Sequence, residues 1–315
     1  MKAIQVKEFG GPEVLEYTEL PDPEGGEGIA VVDVARAGVN FADTHATRND
    51  YLAEQTLPMI PGGEVSGTTA DGTRVAALLG GGGYAEKVAV PESWLVPLPD
   101  SVSDDQAAGL LLQGLTAHAL VHMCARLEQG ETVVVEAAAG GTGSLAIQIA
   151  KRAGGRVIGI ASSEEKRAAA ERLGADATVD PSAADLREAI LEANDGEPVD
   201  AVLHMSGGQA FQSELRTLAP FGRMVVFGNA SREDNEVRTG HLLRNSRAVI
   251  GFWLLQLIPR REKVAAMIGE LLSWVAAGEL EVVIGGVYPL SEAARAHEEI
   301  AARRTQGKLL LDPTA

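Results

Sequence analysis

From residue 132 onward the chain alternates short apolar runs with helix-patterned segments, and this alternation constrains the fold more than any other feature. The apolar strand TVVVEA at 132–137 precedes a helix over 143–153 whose Ala146, Ile149, Ala150 and Ala153 share one face. Then follow the strand RVIGIA at 156–161, the helix SEEKRAAAERLG, the strand ATVD, the helix ADLREAILEAN and the strand VDAVLH. A helix near 209–219, the strand RMVVFG at 223–228 and a sixth strand at about 247–252 complete the series. Each crossover helix must pack back onto the sheet, so repeated βα units of this length build a parallel sheet covered on both faces. The spacing predicts an α/β fold with a doubly wound, six-stranded parallel sheet.

The flanking segments read differently. The first hundred residues carry short β-type runs, AIQV, IAVVDV, TRVAAL and AEKVAV, separated by turn signals such as EFGGPE and ADGT. A helical stretch, DDQAAGLLLQGLTAHALVHMCARLEQG, runs from about residue 104 to Gly130. The tail has a helix at about 260–277, the strands VVIGGVYPL and GKLLLDP, and a charged helix between them. The tail is expected to rejoin the β domain, so that residues 1–115 and 256–315 form one domain and 116–255 another inserted within it.

Charge and cysteine usage narrow the function classes. The 315 residues include 27 Lys and Arg against 44 Asp and Glu, a net charge of −17, which repels nucleic acids and anionic lipids. A lone cysteine, Cys124, forms no intramolecular disulfide and rules out metal sites built on several thiolates. The longest apolar run, AVIGFWLLQLI at 248–258, falls short of the ~20 residues a bilayer needs, and MKAIQVKEF lacks the apolar core of a signal peptide. These features predict a cytoplasmic protein without a membrane or nucleic-acid partner.

After TVVVEA the chain reads Ala138-Ala139-Gly140-Gly141-Thr142-Gly143, a G-x-G-x-x-G fingerprint with Ala in the first place. A pyrophosphate needs close backbone approach and free amides at a helix N-terminus, which Gly140, Gly141, Thr142 and Gly143 supply. The alternation and this loop together define a Rossmann dinucleotide-binding unit. An NAD-type unit places a carboxylate ~20 residues further on, for the ribose 2′-hydroxyl. Here that neighbourhood is Ser162-Ser163-Glu164-Glu165-Lys166-Arg167, where hydroxyls and the Lys166 ammonium suit a 2′-phosphate and so favour NADPH. The same residues also read as a capping box, Ser162-x-x-Glu165, with solvated cations behind it.

The order of MKAIQVKEFGGPEVLE, AGVNFADT, PGGEVSGT, GGYAEKVAVP, QGLTAHALV, AAAGGTGSLAIQIAK, IGFWL and TQGKLLLDP resembles the medium-chain dehydrogenase/reductase superfamily over essentially the whole length. The resemblance is to its zinc-independent branch, the NADPH:quinone oxidoreductases or zeta-crystallin-like group, and implies a β-rich GroES-like catalytic domain around the Rossmann unit. Zinc-dependent members carry Cys where this chain has Asn40 and His where it has Gly63, so the resemblance implies no metal site. His118 and His122 are one helical turn apart and near Cys124, a spacing that could grip a metal but that reads as half-buried side chains along a helix. Without a Lewis acid the acceptor must already be electrophilic, as quinones and α,β-unsaturated carbonyls are.

By the same resemblance Asn40 lies beside the nicotinamide and Tyr51 lines the substrate pocket. The Asn40 amide can then donate to a developing enolate, and the Tyr51 hydroxyl can donate or relay a proton. His45 replaces a second tyrosine found in relatives, which leaves Tyr51, His45 and water as proton sources. Read from the residues alone, Asn40 instead caps a short helix with Asp43 at its third position, and His45 and Tyr51 are surface residues. Further cofactor contacts implied are Thr116, Met205, Phe227, Gly228, Phe252 and Leu254, with Arg303, or its neighbour Arg304, at the 2′-phosphate. A tyrosine that some relatives place at that phosphate is Pro181 here. The activity implied is metal-free hydride transfer to a quinone, by a homodimer paired through the sixth strand. The alternatives are reduction of a conjugated C=C bond in an enone, 2-alkenal or enoyl thioester, or NADPH binding without turnover.

Overall fold

The computed structural model describes residues 1–50 and 52–315, and the backbone separates into two compact units, Met1–Leu112 with Ile268–Ala315, and Gln113–Met267. The junctions fall inside two helices, Asp104–His118 and Arg261–Ala276, whereas the sequence reading put them at 115/116 and 255/256.

The first unit begins with the antiparallel pair β1 (Lys2–Gln5) and β2 (Glu16–Glu19). It continues through β3 (Ile29–Val39), α1 (Phe41–Ala46), β4 (Glu64–Thr69), β5 (Arg74–Leu78), β6 (Lys87–Pro91), β7 (Val96–Pro97) and the helix α2 (Asp104–His118). The long strand β3 pairs antiparallel with both β4 and β6. Alternate β3 residues Val32 and Val34 are buried and pack with Val65, Val75 and Val90. Each such side chain contributes roughly 1.5–3 kcal/mol on burial. The expected helix to Gly130 ends sooner. After His118 it loosens into a π-helical stretch, Ala119–Ala125, and stops at Arg126, whose backbone is left-handed (φ 49°). Among the described residues, Asp104–Ala125 is the helix long and apolar enough to cross a bilayer, and 72% of its apolar window is buried, as in a core helix.

The second unit alternates β8 (Thr132–Val135), α3 (Gly141–Arg152), β9 (Arg156–Ile160), α4 (Glu164–Arg172), β10 (Ala177–Val179), α5 (Leu186–Ala193), β11 (Val199–His204), α6 (Gln209–Leu215), β12 (Leu218–Val226), α7 (Thr239–Asn245) and β13 (Ala248–Gly251). All six strands pair in parallel in the order β10-β9-β8-β11-β12-β13. This is the doubly wound order in which the chain starts at the centre and reverses direction between β8 and β11. The central strand β8 is buried at every position, which is why it reads as an unbroken apolar run. Two boundaries differ from expectation. The helix near 209–219 ends at Leu215, and the fifth strand starts at Leu218 rather than 223, its first pairs with β11 interrupted by a bulge.

The chain closes with α8 (Arg261–Ala276), β14 (Ile284–Pro289), α9 (Ala293–Ala301) and β15 (Lys308–Asp312). β15 adds antiparallel to β3, so the tail does rejoin the first unit's sheet. Leu309 and Leu311 enter its core beside Val39.

The turn from β8 into α3 brings backbone against backbone. Ala137 is left-handed (φ 47°) and its carbonyl accepts from Gly140 N–H at 2.7 Å. A Cβ added at Gly143 would stand 2.2 Å from that carbonyl oxygen, so only glycine lets helix and strand meet there. Gly143→Ala is expected to lower unfolding stability by about 1–3 kcal/mol through forced displacement of the loop, read as a lower denaturation midpoint in urea. An unchanged midpoint would show that the loop yields freely.

Candidate active site

The register of the parallel sheet aligns the carboxyl ends of β9, β8, β11, β12 and β13 along one edge. Most of the cofactor residues inferred from the sequence lie there. Gly140, in extended backbone, caps α3, and Gly141, Thr142 and Gly143 form its first turn. First-turn amides have no intrahelical acceptor, and the aligned peptide dipoles favour an anion in front of them.

At the end of β9, Ser162 is exposed and Ser163 caps α4, its hydroxyl accepting from Lys166 N–H at 3.2 Å. The cap is thus Ser163, and the Ser162-x-x-Glu165 box anticipated from sequence does not form. The shift leaves Ser162 outside the cap. Burial pulls the half-buried Lys166 ammonium below its usual range, with Glu165 opposing. Arg167 is turned back, bonded to Ala161 O at 3.0 Å and to Asp180 at 2.8 Å.

Met205 and Ser206 follow β11, and both amides donate to one carboxylate, Glu136 at the end of β8, Ser206 at 2.8 Å. Phe227 and Gly228 follow β12, with Gly228 packed on Met205. Phe252 N–H continues the ladder onto Val226 O at 2.9 Å, and Leu254 starts the next short turn. Thr116 is buried on α2, while Arg303 is exposed in the turn after α9, in the first unit.

A buried cluster behind this edge escaped the sequence reading. His204 Nε2 accepts from Gly207 N–H at 2.8 Å, so its proton resides on Nδ1, which donates to Glu214 at 2.7 Å and lies 3.2 Å from Glu136. Burial lowers the His204 pKa and keeps the ring neutral. Burial, then the neighbouring Glu136, pushes Glu214 well above the carboxylate range, so that it is a neutral acid. Glu136, His204 and Glu214 are the group of metal-type ligands brought together among the described residues, and hydrogen bonds close it. His118 and His122 instead contact each other, ring centroids 4.6 Å apart, with Cys124 half-buried nearby in sequence. An out-of-place Glu ending an apolar strand was the available signal; its partners sit 68 and 78 positions away along the chain (204 − 136 and 214 − 136).

In the first unit Asn40 heads α1 and Asp43 is its third residue, the carboxylate accepting Asn40 N–H at 2.8 Å. The cap inferred from sequence therefore forms. The Asn40 side chain is buried and turns inward, its Oδ1 accepting from Lys308 Nζ at 2.7 Å and its Nδ2 donating to Glu64 at 3.1 Å. His45 is buried, not on the surface, and its Nδ1 lies 2.6 Å from Asp50. Tyr51 lies outside the described residues. Asp43 also accepts from Tyr84 OH at 3.0 Å, and that hydroxyl lies 3.1 Å from His297 Nε2. Burial raises Asp43 to about 6, against the lowering pull of the Asn40 amide, and burial lowers His297 to about 4.

A nucleotide-type strand edge and a β-rich partner domain define a nicotinamide-dependent oxidoreductase of the alcohol dehydrogenase type. Residues 26–100 match the alcohol dehydrogenase GroES-like domain family and residues 141–273 the zinc-binding dehydrogenase family. The quinone oxidoreductase of Pseudomonas aeruginosa is 37% identical over 99% of both chains. The Escherichia coli quinone oxidoreductase complexed with NADPH superposes with a TM-score of 0.94 at 31% identity, over 99% of this chain and 100% of that one. The Thermus thermophilus quinone oxidoreductase, also solved with NADPH, gives 0.90 at 38% identity over the same shares. The chain belongs to the quinone oxidoreductase family of the medium-chain dehydrogenase/reductases.

Asp43 and His297 have opposite effects on stability as pH changes. Asp43 is raised from 3.8 to about 6, so its contribution is full below 3.8 and is lost as pH rises through 6. His297 is lowered from 6.5 to about 4, so its contribution is full above 6.5 and is lost as pH falls through 4. Relative to wild type, Asp43→Asn should gain on the order of 2–3 kcal/mol between pH 4 and 6, and His297→Gln should gain a similar amount as pH falls from 6.5 to 4. Urea melts at stepped pH measure both slopes, and a reversed slope in either variant would contradict the assignment.

Proposed function

We propose that this chain is an NADPH-dependent quinone reductase that transfers a hydride to a soluble quinone without a metal. The observation that carries the reading is the row of residues at the sheet's carboxyl edge, from the Gly140–Gly143 turn to Ser162, Ser163 and Lys166. The cradle fits a dinucleotide: at Gly143 a Cβ would meet Ala137 O, so glycine lets the turn close on the strand, and the first-turn amides of α3 have no intrahelical acceptor. The NADPH-bound relatives support the same cofactor.

When bound, the cofactor supplies the hydride. The first turn of α3 holds its pyrophosphate through backbone amides. The Ser162 and Ser163 hydroxyls and Lys166 take the 2′-phosphate, where a carboxylate would repel it, and Arg303 is proposed as a further cation. Met205, Phe227, Gly228, Phe252, Leu254 and Thr116 line the nicotinamide end. Glu136 fixes the Met205 and Ser206 amides and so shapes that end without touching the ligand. Asn40 and Tyr51 are proposed for the acceptor side, with Tyr51 as proton source.

Metal independence has support in the side chains themselves: the atoms of Asn40 and Glu64 that a cation would seek already accept from the Lys308 ammonium. The acceptor must then be activated by its own conjugation. The pairing groups of β13, at the edge of the six-stranded sheet, support a homodimer joined through that strand. A cytoplasmic location is consistent with the single half-buried thiol.

Steady-state kinetics with 9,10-phenanthrenequinone should show a preference for NADPH over NADH and no loss on treatment with a chelator. Lys166→Ala should raise the KM for NADPH about tenfold while leaving that for NADH unchanged. A preference for NADH would overturn the cofactor assignment, and chelator-sensitive oxidation of a simple alcohol would overturn the reaction. Higher kcat/KM with 2-alkenals or enoyl thioesters than with quinones would move the substrate to the C=C class.

A further inference from the structure

Lys308 is 1% exposed, at the start of β15, and no resemblance or motif singled it out. Its Nζ lies 2.5 Å from Glu64 Oε1 and donates to Asn40 Oδ1 at 2.7 Å. Asn40 Nδ2 donates to the same Glu64 oxygen at 3.1 Å and to Gly38 O at 3.3 Å, while the second Glu64 oxygen accepts Leu112 N–H at 2.9 Å. Ammonium, amide oxygen, amide nitrogen and carboxylate thus close a ring. Within it the amide has one allowed orientation, because its oxygen must meet the cation and its nitrogen the anion. Glu64 has no exposed surface, so neither charge has water to fall back on.

We propose that Lys308 is a positioning residue for hydride transfer: held by Glu64, its ammonium orients the amide of Asn40, the residue that stands where zinc-dependent members of the superfamily carry a cysteine ligand. The inference rests on the reading of Asn40 as part of the acceptor site. The ion pair fixes one amide N–H on Glu64 and leaves the longer contact, to Gly38 O, as the N–H most easily redirected to an acceptor oxygen. A cation bonded to the amide oxygen also polarises the group and strengthens its N–H donors.

The test is a kinetic double-mutant cycle. Removing Lys308 alone would strand the Glu64 charge, so Lys308→Met is combined with Glu64→Gln, which exchanges a buried ion pair for neutral groups. Wild type, Asn40→Ala, Lys308→Met/Glu64→Gln and the triple variant are compared with NADPH and 9,10-phenanthrenequinone. The pair variant should keep the KM for NADPH and lose about tenfold in kcat, and the triple variant should be no slower than Asn40→Ala. Wild-type kcat in the pair variant, or losses that multiply with that of Asn40→Ala, would overturn the inference. Wild-type kcat in Asn40→Ala would instead overturn the reading of Asn40. If the pair variant does not fold, Lys308→Gln/Glu64→Gln, which removes both charges and keeps a neutral N–H donor at position 308, carries the test: lowered kcat at unchanged NADPH KM supports the role, and unchanged kcat refutes it.

Discussion

A carboxylate with no exposed surface has to be surrounded by donors, and in the first unit Glu64 imposes that requirement on three distant segments. Its donors are Lys308, Asn40 and the Leu112 amide, separated from it by 244, 24 and 48 positions along the chain. Satisfying one charge therefore joins the tail strand, the head of α1 and the helix α2. The apolar packing of Leu309 and Leu311 beside Val39 would hold β15 in the sheet. It would not by itself choose which polar atoms meet beneath α1. Apolar burial supplies most of the stabilisation, and the ion pair supplies the specificity of the local arrangement.

The second unit solves the same problem with a different proton balance. Glu136 accepts two backbone N–H groups, while burial pushes Glu214 up so that it holds a proton, and neutral His204 links the two. The result is a buried carboxylate anchored to the turn after β11 with no cation beside it. A lysine in place of His204 would add a charge that the surrounding apolar strands could not hydrate. The difference between the clusters follows from what each must fix: a side-chain amide in one, a pair of main-chain amides in the other.

Much of the second unit was legible in the sequence because a parallel sheet writes itself as uninterrupted apolar runs at regular spacing. The residues at the strand ends could be read for the same reason, since the fold places every carboxyl end on one edge. Boundaries were less legible. The loosening at Ala119–Ala125 and the left-handed stop at Arg126 leave no mark in hydrophobic periodicity, and Ser162 and Ser163 are equally good caps until the backbone selects one. Lys308, Glu64 and Glu136 were invisible as a class. Each is a charged residue in a linear string where charged residues normally mark solvent, and only the three-dimensional partner reveals that the charge is inside.

Asn40 shows why two sequence readings that look exclusive can both hold. Its main-chain N–H is committed to Asp43 and makes the helix cap, while its side chain is committed to Lys308 and Glu64. The backbone role fixes where α1 begins, and the side-chain role fixes how the amide is turned, so neither can drift without straining the other. A residue held at both ends in this way is a poor flexible group and a preorganised one: the amide plane is fixed, and only the long N–H contact to Gly38 O would have to be exchanged for an acceptor in the proposed role. Under the proposed metal-free reaction, that rigidity is what would stand in for a metal: a fixed dipole bonded to a buried ammonium in place of a mobile Lewis acid.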